Sequence, residues 1–232
     1  MLQLRLERES DEPVVEALLD AAFGAERKRK ISYRYRDGVE RVADLCWVAE
    51  EAGRIVGTIR YWPIRLGEAP ALLLGPVATD PSRRAIGIGR ALVFETLARA
   101  ADLGWKLVFL VGDENYYRRF GFARVPVTVV MPGEDPSRVQ WRGLGGAELP
   151  PSGGELLRAD GTRIEPAQDR LTDRRETFVS GHGVGHLSQS SRDRGSDVGL
   201  AGDLLERGDV GLDREQHGPG ARQTAQGLPL DA

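Results

Sequence analysis

Val77-Ala78-Thr79-Asp80-Pro81-Ser82-Arg83-Arg84-Ala85-Ile86-Gly87-Ile88-Gly89-Arg90-Ala91-Leu92 decides the reading of this chain. A strand-like apolar run, Ala71 to Thr79, stops at Asp80-Pro81; a basic turn with two glycines follows, and then a helical pattern begins. The first N–H groups of a helix have no intrahelical partner, and the helix dipole adds partial positive charge there. Gly87 and Gly89 let the main chain come close to an anion, and Arg83, Arg84 and Arg90 add full charges. Strand, Gly-rich turn and helix start therefore predict a phosphate cradle. The bland alternative is a bare turn with solvated arginines.

Outward from that segment, the chain reads as alternating strands and helices up to about residue 160. Leu2 to Leu6 alternates like a first strand. Asp11-Glu12-Pro13 opens a helix in which Val14, Val15, Leu18, Leu19 and Ala22 recur at helical spacing, and Gly24 closes it. Glu26 to Ser32 suggests a second short helix. Leu45 to Glu50 and Arg54 to Ile64 read as a hairpin turned at Glu51-Ala52-Gly53. Ala71 to Thr79 follows, interrupted at Gly75-Pro76, where proline cannot donate to a ladder and a bulge or an edge is expected. Gly87 to Leu103 forms one helix, Trp105 to Val111 a buried strand, Asn115 to Phe120 a short helix, and Phe122 to Met131 a last strand. Hairpins first and a strand–helix–strand unit later predict an α+β fold on one mostly antiparallel sheet.

Composition bounds the function. Of 232 residues, 29% are charged, yet the net charge is only −3, which argues against a general nucleic-acid binder. The lone cysteine, Cys46, lies between Leu45 and Trp47 and reads as a buried thiol; no disulfide framework is available. An N-terminus rich in Glu, Asp and Arg is not a signal peptide, and no apolar run approaches a membrane span, so a cytoplasmic protein is expected. Beyond about residue 160 the character changes. All four tryptophans precede that point, whereas His182, His186 and His217 follow it in a stretch dense in Gly, Asp, Arg and Ser. The expected division is a folded domain over 1–160 and a polar tail over 161–232 that buries too little to order itself. His182 and His186 have the spacing of a helical metal pair, but glycines lie between them and no acidic third ligand is placed; no metal site is expected. Arg27-Lys28-Arg29-Lys30, with Arg34, Arg36, Tyr33 and Tyr35, is a basic cluster that reads as a solvated face lining an acceptor entrance, or as a nucleic-acid surface.

Three cofactors use Gly-rich turns. A dinucleotide fold needs a third glycine where this chain has Leu92, and a nucleotide-hydrolysing P-loop needs a Gly-Lys-Ser/Thr run that is absent. Coenzyme A remains. The run Arg84-x-x-Gly87-x-Gly89 resembles the acetyl-CoA signature of the GCN5-related N-acetyltransferases (GNAT), and Tyr116-Tyr117-Arg118-Arg119-Phe120-Gly121-Phe122 resembles that family's second signature. Leu74-Gly75-Pro76 and Leu110-Val111-Gly112-Asp113 are similar to a bacterial subgroup of predicted acetyltransferases.

The resemblance implies a sheet splayed into a cofactor groove between its fourth and fifth strands. It implies acyl transfer from acetyl-CoA to an amine held in a ternary complex. Val77, Ala78 and Thr79 would pair with the pantetheine arm. Arg84, Ala85, Ile86, Gly87, Ile88, Gly89 and Arg90 would cradle the diphosphate. Tyr117 would be the general acid, with Tyr116 the alternative. A phenol near pKa 10 and a thiol near 8.5 permit that transfer. The amine needs a base, for which Glu50, Glu51, Glu68, Asp80 and Asp113 are the carboxylates expected around the groove. The acceptor is a small molecule or a peptide, and a homodimer is compatible with such a sheet. A non-catalytic acyl-CoA sensor is the alternative reading.

Overall fold

The computed structural model describes residues 1–84 and 86–165. The elements, in chain order, are β1 (Leu2–Leu6), α1 (Glu12–Phe23), α2 (Ile31–Arg34), β2 (Trp47–Glu51), β3 (Arg54–Leu66), β4 (Ala69–Thr79), α3 (Ile88–Asp102), β5 (Leu107–Val111), α4 (Glu114–Arg118), β6 (Ala123–Arg124), β7 (Val129–Val130), β8 (Val139–Gly143) and β9 (Gly154–Arg158). The sheet runs β1-β2-β3-β4-β5-β8-β6, with β9 beside the far end of β3 and β7 beside β9. Every neighbour in the main run is antiparallel except β4 and β5, which α3 connects as a crossover. This is the α+β architecture expected from the pattern of elements.

Side chains on a strand alternate between faces, so each strand feeds two cores. Leu72 and Leu74 of β4 and Val108 and Leu110 of β5 pack with Leu92, Val93 and Leu97 of α3. Ala71 and Leu73, with Leu107 and Phe109, face the opposite core, which holds Tyr35, Met131 and Leu156. At Gly75-Pro76 the register slips: Ile59 pairs with Val77 while Tyr61 pairs with Leu74, so β4 carries one extra residue. The expected irregularity is thus a bulge inside the sheet. Its consequence is geometric: Val77 stays on the α3 face with Leu74, and the strand turns as it leaves its neighbour.

α1 lays Val15, Leu18, Leu19 and Ala22 on Val48 and Ala78, covering β4 from the other side. Between α1 and the sheet runs a buried ion network. Arg60, 3% exposed, bonds Glu7, Glu12 and Glu16; Arg27, 1% exposed, bonds Glu16 and Asp20. Arg41 joins Glu7 and Glu12, and Lys28 joins Glu16.

Several local expectations change. The strand expected over Phe122 to Met131 is two short pieces, Ala123–Arg124 and Val129–Val130, because Pro126 cannot donate to a ladder and its carbonyl instead accepts from Val129 N. The helix expected over Glu26 to Ser32 is a 3₁₀ turn, Ala25–Arg29, then a separate α2, with Lys30 extended between them. The packed chain continues past residue 160: Thr162 bonds Arg158, and Ile164 is buried in the second core. Ala85, His182, His186 and the rest of the expected tail from 166 onward lie outside the described residues. Among the described residues no helix is long and apolar enough to cross a membrane.

Candidate active site

β4 and β5 pair only at Leu72–Val108 and Leu73–Phe109. Past that point β4 continues through Leu74 to Thr79, still paired with β3 on one side but with no ladder partner from β5 on the other. An unpaired strand edge offers main-chain donors and acceptors to anything extended that lies beside it. The open wedge leads into a cavity of about 300 Å³, lined on the sheet side by Leu74, Gly75, Pro76, Val77, Val111 and Gly112.

At the mouth of the wedge α3 begins. Gly87 is its N-cap, in the left-handed region at φ 82°, with no side-chain cap. A side chain there would be strained, whereas glycine adopts the conformation freely. The first intrahelical bond is Ala91 N to Gly87 O, which leaves the N–H groups of Ile88, Gly89 and Arg90 without helical acceptors. Arg84, three residues before Gly87 in the chain, has a buried Nε with no hydrogen-bond partner. Arg83, by contrast, is tied to Glu51 at 2.7 Å. Uncapped amides, with an orphaned guanidinium nitrogen three residues upstream in the chain, are chemically suited to a diphosphate.

The far wall is α4. Asp113 caps it, accepting from Tyr116 N at 2.8 Å. The cap aims both tyrosines at the wedge, and both line the cavity. Tyr117 packs under Gly112, where an added Cβ would meet its ring at 2.4 Å; only a glycine lets strand and ring come so close. Its ring is boxed by Tyr116, Phe120 and Phe122. The Tyr117 hydroxyl bonds no described residue, and burial, with Tyr116, Tyr61 and Asp113 nearby, pushes its pKa well above 10. Tyr117 therefore stays protonated. Tyr116 is less buried, and its hydroxyl stands 3.1 Å from where a Cβ of Gly89 would be, at the foot of α3.

The five carboxylates expected to serve as bases separate. Glu50 pairs with Arg5, Glu51 with Arg83, Glu68 is fully exposed beside Arg65, and Asp80 accepts from Ser82. Only Asp113 lines the cavity, and its Oδ1 already serves the α4 cap. A sixth carboxylate, Glu134, lines the cavity from the loop before β8; burial raises its pKa, with Arg138 partly offsetting the rise. It was not foreseen because nothing local in the sequence marks a loop glutamate that distant elements bury.

The basic cluster divides: Lys28 and Arg29 are solvated as expected, whereas other members turn inward. Arg27 is buried in the ion network, and Tyr35 is buried and bonds Leu156 O. Lys30, Tyr33 and Arg36 line the cavity opposite the sheet. Cys46 is buried, and desolvation pushes its thiol up to about 11, an inert side chain as expected.

A mixed sheet opened beside β4, a helix N-terminus at the mouth and a protonated tyrosine on the far wall define a group-transfer fold. Residues 43–124 match the family model of the acetyltransferase (GNAT) domain. Over that segment the chain is similar to the GNAT family. It is 28% identical over 121 residues to the uncharacterized N-acetyltransferase YhbS of Escherichia coli K12, an alignment spanning 51% of this chain and 72% of that protein. Among solved structures, a GNAT family acetyltransferase from Brucella melitensis, in complex with acetyl-CoA, aligns with TM-score 0.54 and 28% identity over 68% of this chain and 95% of its own. Escherichia coli YhbS in complex with CoA aligns with TM-score 0.56 and 25% identity, over 67% and 88% respectively.

Proposed function

We propose that this acetyltransferase domain moves an acetyl or other short acyl group from acyl-CoA to an amine by direct attack in a ternary complex. The observation that carries the reading is the unpaired run of β4 leading to the uncapped start of α3. It supplies one continuous main-chain track, long enough for an extended arm and ending in a diphosphate cradle. The two relatives solved with acetyl-CoA and CoA support the same ligand for this groove.

When bound, acyl-CoA supplies the thioester. The main chain of Val77, Ala78 and Thr79 pairs with the pantetheine arm, and the amides of Ile88, Gly89 and Arg90, with Arg84, hold the diphosphate. The N–H of Val77 polarises the thioester carbonyl and stabilises the charge that builds on its oxygen. The amine nitrogen bonds the carbonyl carbon as the carbon–sulfur bond breaks. Tyr117 gives its proton to the departing thiolate. Burial lifts the phenol above 10, which widens its gap from an ordinary thiol, but a thiolate leaving in the same desolvated cavity is raised as well. Glu134 takes the proton from the amine, and its elevated pKa makes it a better base than an exposed carboxylate.

The test is thiol release from acetyl-CoA against a panel of small amines, amino acids and peptides. Tyr117→Phe should lower kcat by about 100-fold or more with CoA affinity kept. An unchanged rate removes Tyr117 from the mechanism. CoA binding without thiol release on any amine favours the sensor reading.

A further inference from the structure

Arg36 lines the cavity as a cation whose buried guanidinium is incompletely satisfied. Its Cζ lies 4.5 Å from the centroid of the Tyr33 ring and 5.1 Å from that of Trp62, so aromatic faces hold the guanidinium on two sides. Its Nε is buried with no hydrogen-bond partner, and no carboxylate among the described residues pairs with it. The acids behind it are already used: Glu7, Glu12, Glu16 and Asp20 are matched by Arg27, Lys28, Arg41 and Arg60. Burial lowers the pKa of Arg36 to about 10. A cation kept at such a cost without an anion is poised for one that arrives.

Its position says what kind. The point that a Cβ on Gly75 would occupy lies 3.6 Å from Arg36 Nη2 and 4.0 Å from Val77 N. The guanidinium and the amide assigned to the thioester carbonyl thus border one small space, left empty because residue 75 is glycine. Lys30 and Arg138 line the same cavity with Arg36, against Asp113 and Glu134. An acceptor whose amine reaches the carbonyl carbon there can reach Arg36 only through a group a few bonds from its nitrogen.

We propose that the acceptor is a small amine bearing an anionic group, carboxylate or phosphonate in type, two or three bonds from its nitrogen, and that Arg36 grips that anion. This rests on the acyl-transfer reading above and names its substrate class. Arg36 is a specificity-determining residue; the charge-assisted fork it offers would discriminate against the same amine without the anion.

The experiment compares matched acceptors on the full chain at saturating acetyl-CoA: L-leucine against isopentylamine, L-phenylalanine against phenethylamine, and the aminophosphonate analogue of each. The wild type should favour the anionic member by at least tenfold in kcat/KM, and the better of carboxylate and phosphonate identifies the anion. Arg36→Gln should erase that preference by raising KM for anionic acceptors with kcat within threefold, a loss at least tenfold larger than any for the matched neutral amines. Arg36→Lys, which keeps charge but loses the fork, should fall between and covers the case in which Arg36→Gln folds poorly. Equal use of neutral and anionic amines by the wild type, or an equal loss for both in Arg36→Gln, overturns the proposal. Two binding measurements separate it from the donor reading. Failure of the wild type to bind CoA would overturn that reading alone. Binding of labelled L-leucine or L-phenylalanine to the cofactor-free chain, lost in Arg36→Gln, supports the Arg36 assignment independently; binding retained in Arg36→Gln overturns it.

Discussion

The two halves of the groove are built differently. The proposed donor half, β4 with the starts of α3 and α4, is made mostly of main chain: an unpaired edge, uncapped amides, and glycines where side chains would intrude. The proposed acceptor half, around Lys30, Tyr33, Arg36, Glu134 and Arg138, is made of side chains from α2, the turns beside it and the segment before β8, braced by the ion network beneath α1. A main-chain site constrains sequence at fixed offsets, because only glycine or a strand–turn–helix order produces it. A side-chain site leaves no such trace, since any loop of the right reach can deliver a charge. One half can therefore serve a single cofactor while the other changes its substrate.

Perturbing each half should separate them. Arg60→Met removes the centre of the brace and leaves Glu7, whose side chain is 1% exposed, with Arg41 alone at 3.3 Å. Breaking a buried pair costs about 3–5 kcal/mol, so denaturant unfolding should show a loss of that order. The network also sets an acid limit. Burial alone would raise Glu16, but hydrogen bonds from Arg27, Lys28 and Arg60 outweigh it and hold the carboxyl at about 2 rather than 4.5. Its contribution is present above pH 4.5 and is lost as pH falls towards 2, and in Arg60→Met that loss should be smaller and complete at a higher pH.

Gly89→Val acts on the donor half. A Cβ there would stand 3.1 Å from the Tyr116 hydroxyl and 3.4 Å from Thr79 Oγ1, and the branched side chain fills the foot of the cradle. CoA affinity should fall by about 100-fold, roughly 2.7 kcal/mol, with little effect on amine binding. A variant that binds CoA normally would dissolve the distinction between the halves.

Glu134→Gln is the subtler probe of the acceptor half. The rate of the native chain should fall as pH drops through a pKa above 4.5; the variant should lose that limb and about tenfold in kcat. Because folding raises this carboxyl's pKa, its ionisation opposes the fold, and stability declines as pH rises from the unfolded pKa to the folded one. Glu134→Gln should therefore melt slightly higher than the native chain at neutral pH.

Local grammar made most of the scaffold legible. The α1 spacing, the hairpin at Ala52-Gly53, the bulge at Gly75-Pro76 and the Gly87 turn each follow from a period or a breaker within a few residues. β8 and β9 were invisible because Val139-Gln140-Trp141-Arg142-Gly143 and Gly154-Glu155-Leu156-Leu157-Arg158 are short and half polar; β5 and β3 supply the pairing that makes them strands. The same non-locality hid Glu134 and made Arg27 look solvated, when α1 supplies both of its carboxylate partners.

The most direct test of the main-chain cradle at the start of α3 is calorimetric titration of CoA and acetyl-CoA into the full chain, with Gly89→Val beside it. Saturable heat at one ligand per chain, lost in the variant, is the predicted result. No heat from the native chain with either ligand would contradict it.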